Sequence, residues 1–149
     1  PNMRLRPSPE FQQFARATID AGADLYLGHS AHLFQGVEIH EGKPIFYDAG
    51  DFVDDYAVDP ELRNDWSALI LCTLGPGGVE AVRLLPALIR DFQVNLARGG
   101  DFEAIAGRLQ LLSSEFGTSL EIRDGTVEVE LYPQLRRPPT PRRRIAVNP

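Results

Sequence analysis

Cysteine is nearly absent from this 149-residue chain: Cys72 stands alone, so no disulfide can close within it. It lies in a strand-like apolar run and reads as a buried thiol. Long apolar runs are missing too, the longest falling near Ala68–Cys72, far short of the ~20 residues a bilayer crossing needs. The opening residues Pro1-Asn2-Met3 do not read as a secretory leader or a lipidation signal. No internal repeat is visible, and the sequence has no G-x-x-x-x-G-K-[ST], G-x-S-x-G or G-x-G-x-x-G motif. Gly75-Pro76-Gly77-Gly78 is glycine-rich, but it contains a proline and opens a strand, which argues against a phosphate cradle. The composition, 43% hydrophobic and 24% charged, is that of one globular domain with a core of its own.

What the sequence does hold is concentrated between Asp24 and Asp55. All three histidines are there, His29, His32 and His40, with carboxylates at Asp48, Asp51, Asp54 and Asp55. Leu25–Leu27 reads as a short buried strand that ends at Gly28 and releases His29 onto a loop. The spacing of His29 and His32 places both rings on one side of a tight turn. Two neutral imidazoles converging in this way suit a borderline transition metal such as zinc, manganese, iron or nickel. On spacing alone such a pair is more often surface-exposed or hydrogen-bonded, and two ligands do not complete a site.

The block G-H-S-A-H-L-F-Q, Gly28 to Gln35, is followed by V-E-I-H-E-G-K-P-I-F-Y-D-A-G-D-F-V, Val37 to Val53. Together they resemble the signature of the bacterial capsule and poly-γ-glutamate synthesis (CapA) family, within the calcineurin-like metallophosphoesterases. Members typically read G-H-x-P-H-x-x-Q, then an E-x-x-x-G-K-x-I-x-Y hairpin, then G-N-F. The resemblance runs from about Pro7 to Glu130. It implies that His29 and His32 are metal ligands, with Gln35 and Asp51 adjacent to the site, and that two divalent ions (Mn, Fe, Zn or Ni) bind in the full-length protein. Three positions depart from the pattern: Ala31 replaces a proline, Asp51 an asparagine, and Asp48 a common serine. Asp51 can still face a cation, and it adds a charge that an amide lacks.

Related proteins carry an early G-D, an N-x-H and an H-W-G upstream, and none is present here. The chain is therefore expected to be the C-terminal half of a layered α/β metallophosphoesterase-like sandwich, residues 1–132, followed by a Pro/Arg-rich tail, 133–149. That expectation brings a partner with it: the N-terminal half of the same protein, or another copy of the chain in a homo-oligomer, should cover the sheet surface left open. The full-length protein is expected to be cytoplasmic or envelope-associated.

Local patterns predict the elements. Ser8, Pro9 and Glu10 start a helix over 8–22, with Phe11, Phe14, Ala15 and Ile19 as its buried stripe and Gly22 as its stop. Gln35–His40 and Pro44–Tyr47 read as a hairpin through Glu41-Gly42-Lys43. His40, beside that turn, is not expected to touch metal. Residues 54–64 read as a polar loop, a candidate lid, whose acids (Asp51, Asp54, Asp55, Asp59, Glu61) form a solvated face rather than a second metal site. Trp66–Leu74 and Val79–Leu85 read as strands, the second ending at Pro86, with Phe92–Arg98 a connector. A second helix over 101–116 buries Phe102, Ile105, Leu109, Leu112 and Phe116, and a hairpin around Asp124-Gly125 follows. The strand before His29 is expected at the centre of the sheet, with both helices on its faces.

The last seventeen residues, 133–149, hold five prolines, five arginines and no acid, so removing that +5 from the chain's −6 leaves −11 on the body. Arginines without aromatics are a poor nucleic-acid signature, and an acidic body repels phosphate; no nucleic-acid partner is expected. Two functional classes follow. The first is a metal-dependent hydrolase acting on a phosphoester or surface polymer in capsule or poly-γ-glutamate biosynthesis. The alternative is a non-catalytic assembly or export factor with a vestigial or structural metal site.

Overall fold

A computed structural model describes residues 3–53 and 56–131. Asp54, Asp55 and the Pro/Arg-rich tail lie outside the described residues. Helix α1 (Pro9–Asp20) starts at Ser8, whose hydroxyl accepts from the Phe11 N–H at 3.4 Å, with Pro9 in the first turn. It closes where Gly22 (φ 111) lets the Ala23 N–H return to the Thr18 carbonyl. Only Ala15 and Ile19 of the expected stripe are buried. Phe11 and Phe14 are about half exposed, and Phe14 meets Tyr26 edge-on at 6.1 Å. The helix rests on a sheet three strands wide, too narrow to cover a wider stripe.

That sheet comprises β1 (Tyr26–Leu27), β2 (Val37–His40) and β3 (Lys43–Phe46), ordered β1-β3-β2. The β2–β3 hairpin turns through Glu41 (φ 51) and Gly42 (φ 74), as the sequence predicts. The strand that releases His29 is not central. Among the described residues β1 is an edge strand, pairing in parallel with β3 through Tyr26↔Ile45 and Leu27↔Phe46. β3 takes the centre because Pro44, Ile45 and Phe46 are all buried, whereas Leu27 is exposed.

The second sheet runs β4 (Trp66–Gly75), β5 (Gly78–Arg90), β8 (Thr126–Val129), β7 (Leu120–Arg123), with β6 (Gln93–Leu96) also on β5. Pro86 does not end β5, which continues four residues beyond it. The Pro86 carbonyl accepts from the Ala97 N–H, so its nitrogen points to the same side of the strand. β8 pairs with β5 at Arg83 and Leu84, and β6 at Ala87–Arg90. The register from Ala87↔Leu96 sets Pro86 opposite Ala97, so the missing N–H costs only the reciprocal bond of the last β5–β6 pair, at the end of that ladder. The expected connector 92–98 is largely strand β6, reached through Asp91 (φ 53) and Phe92 (φ 59). Asp91 is a turn-forming residue, but no glycine or asparagine follows it, so the signal for that turn was weak.

Helix α2 (Gly99–Ser114) buries Ile105, Leu109 and Leu112 between the two sheets. Its end is closed by Gly117 (φ 74), with the Thr118 N–H on the Ser113 carbonyl and the Gly117 N–H on the Ser114 carbonyl. Phe116, past the helix, stacks on Tyr47 at 5.2 Å and joins the smaller cluster with Ala15, Ile19 and Ile45. Cys72 is partly rather than fully buried, packed against the main core, and burial pushes its thiol up. The architecture is α/β, with helices and sheets in layers. No helix among the described residues is long and apolar enough to cross a membrane.

Candidate metal-binding loop

The histidine loop leaves β1 under close constraint. The Gly28 N–H donates to the Phe46 carbonyl at 2.8 Å, and a Cβ on Gly28 would lie 2.2 Å from the Tyr47 carbonyl oxygen. Glycine is needed there because two backbones touch. Ser30 (φ 86) and His32 (φ 59) then both adopt left-handed conformations, costly for residues with a Cβ and sustained only by what surrounds them.

Asp48 is the main support. Only 4% exposed, it accepts from the Ala31 N–H through Oδ2 at 2.6 Å and from the Gly50 N–H through Oδ1 at 2.8 Å. Its backbone carbonyl accepts from the Gln35 N–H, and Phe34 bridges to Ala49. The Met3 N–H reaches the Ala31 carbonyl, so residues preceding α1 also brace the loop.

His32 lies with Nδ1 3.0 Å from both carboxylate oxygens of Asp51, its ring 5.5 Å from that of Tyr56. The carboxylate can only accept, so the neutral ring carries its proton on Nδ1 and keeps a lone pair on Nε2. Metal-binding histidines are commonly backed in this way. His29 is exposed and its Nδ1 meets the Ser30 hydroxyl at 2.6 Å. Gln35 is buried and donates through Nε2 to the Arg4 carbonyl at 2.8 Å, so its amide braces the residues before α1. His40 sits away from the loop, with Nε2 2.7 Å from Asp20 at the end of α1.

Two imidazoles, one held by a carboxylate, suit Mn, Fe, Zn or Ni in donor chemistry. Two donors do not complete a site, and among the described residues no three His, Cys, Asp or Glu side chains gather to hold an ion. The candidate lid is partly fastened. Asp59 accepts from the Glu61 and Leu62 N–H groups, which holds its carboxyl below the usual range, and Arg108 of α2 donates to the Leu62 carbonyl at 2.6 Å. Arg108 and Arg63 each stack over Trp66, at 4.3 and 4.4 Å from its ring. Burial, then the like charge of Arg63, pulls Arg108 below its ordinary value.

The hairpin motif conceals a second polar cluster that sequence reasoning did not resolve. Glu38, on β2, is 7% exposed and takes a bidentate pair from Arg16 at 2.8 and 3.1 Å and the Tyr47 hydroxyl at 2.5 Å. Burial, then the Glu38 carboxylate, pushes the Tyr47 phenol well up, and the Glu38 bond raises Arg16. Lys43 donates to the Ala23 carbonyl at 2.9 Å. Glu38, Ile45 and Tyr47 of the motif thus tie α1 to β2 and β3, Lys43 holds the residues that follow α1, and Gly42 makes the turn, all structural roles. The clue was a charged residue between Val37 and Ile39 in a strand that buries both faces.

Comparison with known proteins matches this region directly. The family model described as bacterial capsule synthesis protein aligns with residues 1–56, which include His29, His32, Gln35, Asp48 and Asp51. A probable polyglutamine synthesis accessory protein of Mycobacterium tuberculosis is 34% identical over 134 residues, 86% of this chain and 35% of the relative. The chain belongs to the capsule and poly-γ-glutamate synthesis (CapA) family. Two further family relatives are the capsule biosynthesis protein CapA of Bacillus anthracis, 34% identical over 86 residues (58% of this chain, 20% of the relative), and the PGA biosynthesis protein CapA of Bacillus subtilis, 45% over 85 residues (57% and 22%). The chain thus spans about a third or less of the length of these family members.

Proposed function

We propose that this chain is part of a protein of capsule or poly-γ-glutamate biosynthesis, and that His29 and His32 supply part of a divalent-metal hydrolytic site of the metallophosphoesterase type. The observation that carries the reading is the His32–Asp51 contact, 3.0 Å from Nδ1 to both oxygens. It fixes the tautomer that offers Nε2 as a donor, on a backbone (φ 59) that spends free energy to hold the ring in place. His29 would be the second donor. Further donors would come from the remaining length of the protein, since the chain spans 35% of its mycobacterial relative. When bound, paired divalent ions would lower the pKa of a water and offset charge developing on a phosphoryl-like centre. The chain's own residues would orient that cage: Asp51 through the His32 ring, and Gly28 by the close approach that starts the loop.

A second reading is supported by the lack of any three-donor group among the described residues, and by the word "accessory" in the mycobacterial relative's name. In it the protein assists polymer assembly or export without turnover. Metal analysis of the full-length protein, paired with turnover of a generic phosphodiester and of a γ-linked glutamate oligomer, separates the two. Bound Mn, Fe, Zn or Ni with hydrolysis abolished by His32→Ala supports the enzyme. Bound metal without turnover of either substrate supports the assembly role. Absence of bound metal after loading with each ion removes the metal site altogether.

A further inference from the structure

Asp48 is buried, close to the histidines, and yet both of its oxygens face away from any ligand role. Oδ2 accepts from the N–H of Ala31, which sits between the two left-handed residues Ser30 and His32. Oδ1 accepts from the N–H of Gly50 (φ 79), the residue before Asp51. One carboxylate therefore fixes the backbone next to His32 and the backbone next to Asp51, the two side chains that meet at 3.0 Å. The Asp48 carbonyl adds a third tie, to the Gln35 N–H, on the other flank of the same loop.

We infer that Asp48 is a positioning residue for the metal-binding loop, a bracket that sets the His32–Asp51 contact and so the direction in which His32 presents Nε2. The bracket needs two acceptors at once. A serine offers one oxygen and can hold one of the two N–H groups. An asparagine keeps the shape and offers one acceptor, turning its own N–H2 against the other backbone N–H. Asp48 and Asp51, three residues apart, thus play different parts. The first orders the loop on which the second meets His32.

The inference rests on the metal-site reading, and its test separates the two. Asp48→Asn and Asp48→Ser are made in the full-length protein and compared with wild type at pH 8 by three measurements: ring-nitrogen NMR of His32 without metal, affinity for Mn2+ and Zn2+, and melting temperature. Wild type should show His32 as the single Nδ1–H tautomer. Asp48→Asn should mix the tautomers and lose about 10- to 100-fold in metal affinity, the range for removing a group that supports a ligand. Asp48→Ser should lose less. A drop in melting temperature with the tautomer and the affinity unchanged would overturn the inference and leave Asp48 a purely structural residue. Should wild type bind neither ion, the metal reading fails, and the tautomer measurement still decides whether Asp48 sets the loop. Should Asp48→Asn not fold, Asp48→Ser decides it.

Discussion

The two sheets solve different problems. The β1-β3-β2 sheet and its loop, within the family-matched residues 1–56, bury Glu38, Asp48 and Gln35 and hold Ser30 and His32 in left-handed conformations. The β4–β8 sheet with α2 supplies most of the main core, among it Ala68, Val82, Leu84, Leu109 and Val127. Its turns are mostly regular hairpins. One region spends stability to fix polar groups; the other provides it through apolar burial. The part that carries the candidate site is thus the smaller and more polar, and it depends on a scaffold that supplies most of the core.

The largest effect should come from emptying the loop. His29→Ala with His32→Ala, in the full-length protein, should remove at least one equivalent of bound metal while circular dichroism and melting stay close to wild type. Retained metal would break the comparison by placing the site elsewhere. In the scaffold, Leu109→Ala should cost about 2–5 kcal/mol in a denaturant titration, since Leu109 is 2% exposed in the main core. A cost under ~1 kcal/mol would mean α2 is not what holds the sheets together.

Tyr47→Phe tests the polar region directly. The Glu38 carboxylate keeps Arg16 but loses the phenol, and the expected loss is roughly 1.5–3 kcal/mol, the range for a hydrogen bond to a charged group. It also carries a pH signature. The Tyr47 phenol is raised in the folded state, so folding favours its protonated form. That contribution is complete below the free phenol's value of 10.0 and is lost as pH rises through and above it. Wild type should lose stability above about pH 10 more steeply than Tyr47→Phe; parallel alkaline limbs would count against it.

The smallest effect should be a gain. Asp91 and Phe92 turn β5 into β6 with φ of 53 and 59, and Phe92 is 78% exposed. Replacing the pair by Asn-Gly should stabilise the chain by about 1 kcal/mol, seen as a higher melting temperature. No gain, or a loss, would indicate that the strain at this turn serves an interaction of the Phe92 ring.

Much of the architecture was legible where local chemistry decides conformation. Ser8-Pro9 and Gly22 mark α1, Glu41-Gly42 and Asp124-Gly125 mark two hairpins, and the stripe Ile105, Leu109, Leu112 marks the buried face of α2. The Phe11 and Phe14 exposures, the edge position of β1 and the continuation of β5 through Pro86 were not legible. Each depends on what lies across from the residue: the width of the sheet below, the order of strands, the end of a ladder.

The same division holds for the site. By itself the sequence singled out His29, His32 and Asp51 as candidates, and all three fall within the residues that the family model matches. Tertiary structure alone decided their roles. Asp51, nineteen residues from His32, becomes the partner of its Nδ1. Asp48 turns both oxygens to backbone N–H groups, Gln35 spends its amide on Arg4, and His40 binds Asp20. The physical reason is that hydrogen bonding and burial act over distances of a few ångströms, and only the folded chain sets which groups, far apart in sequence, come within them.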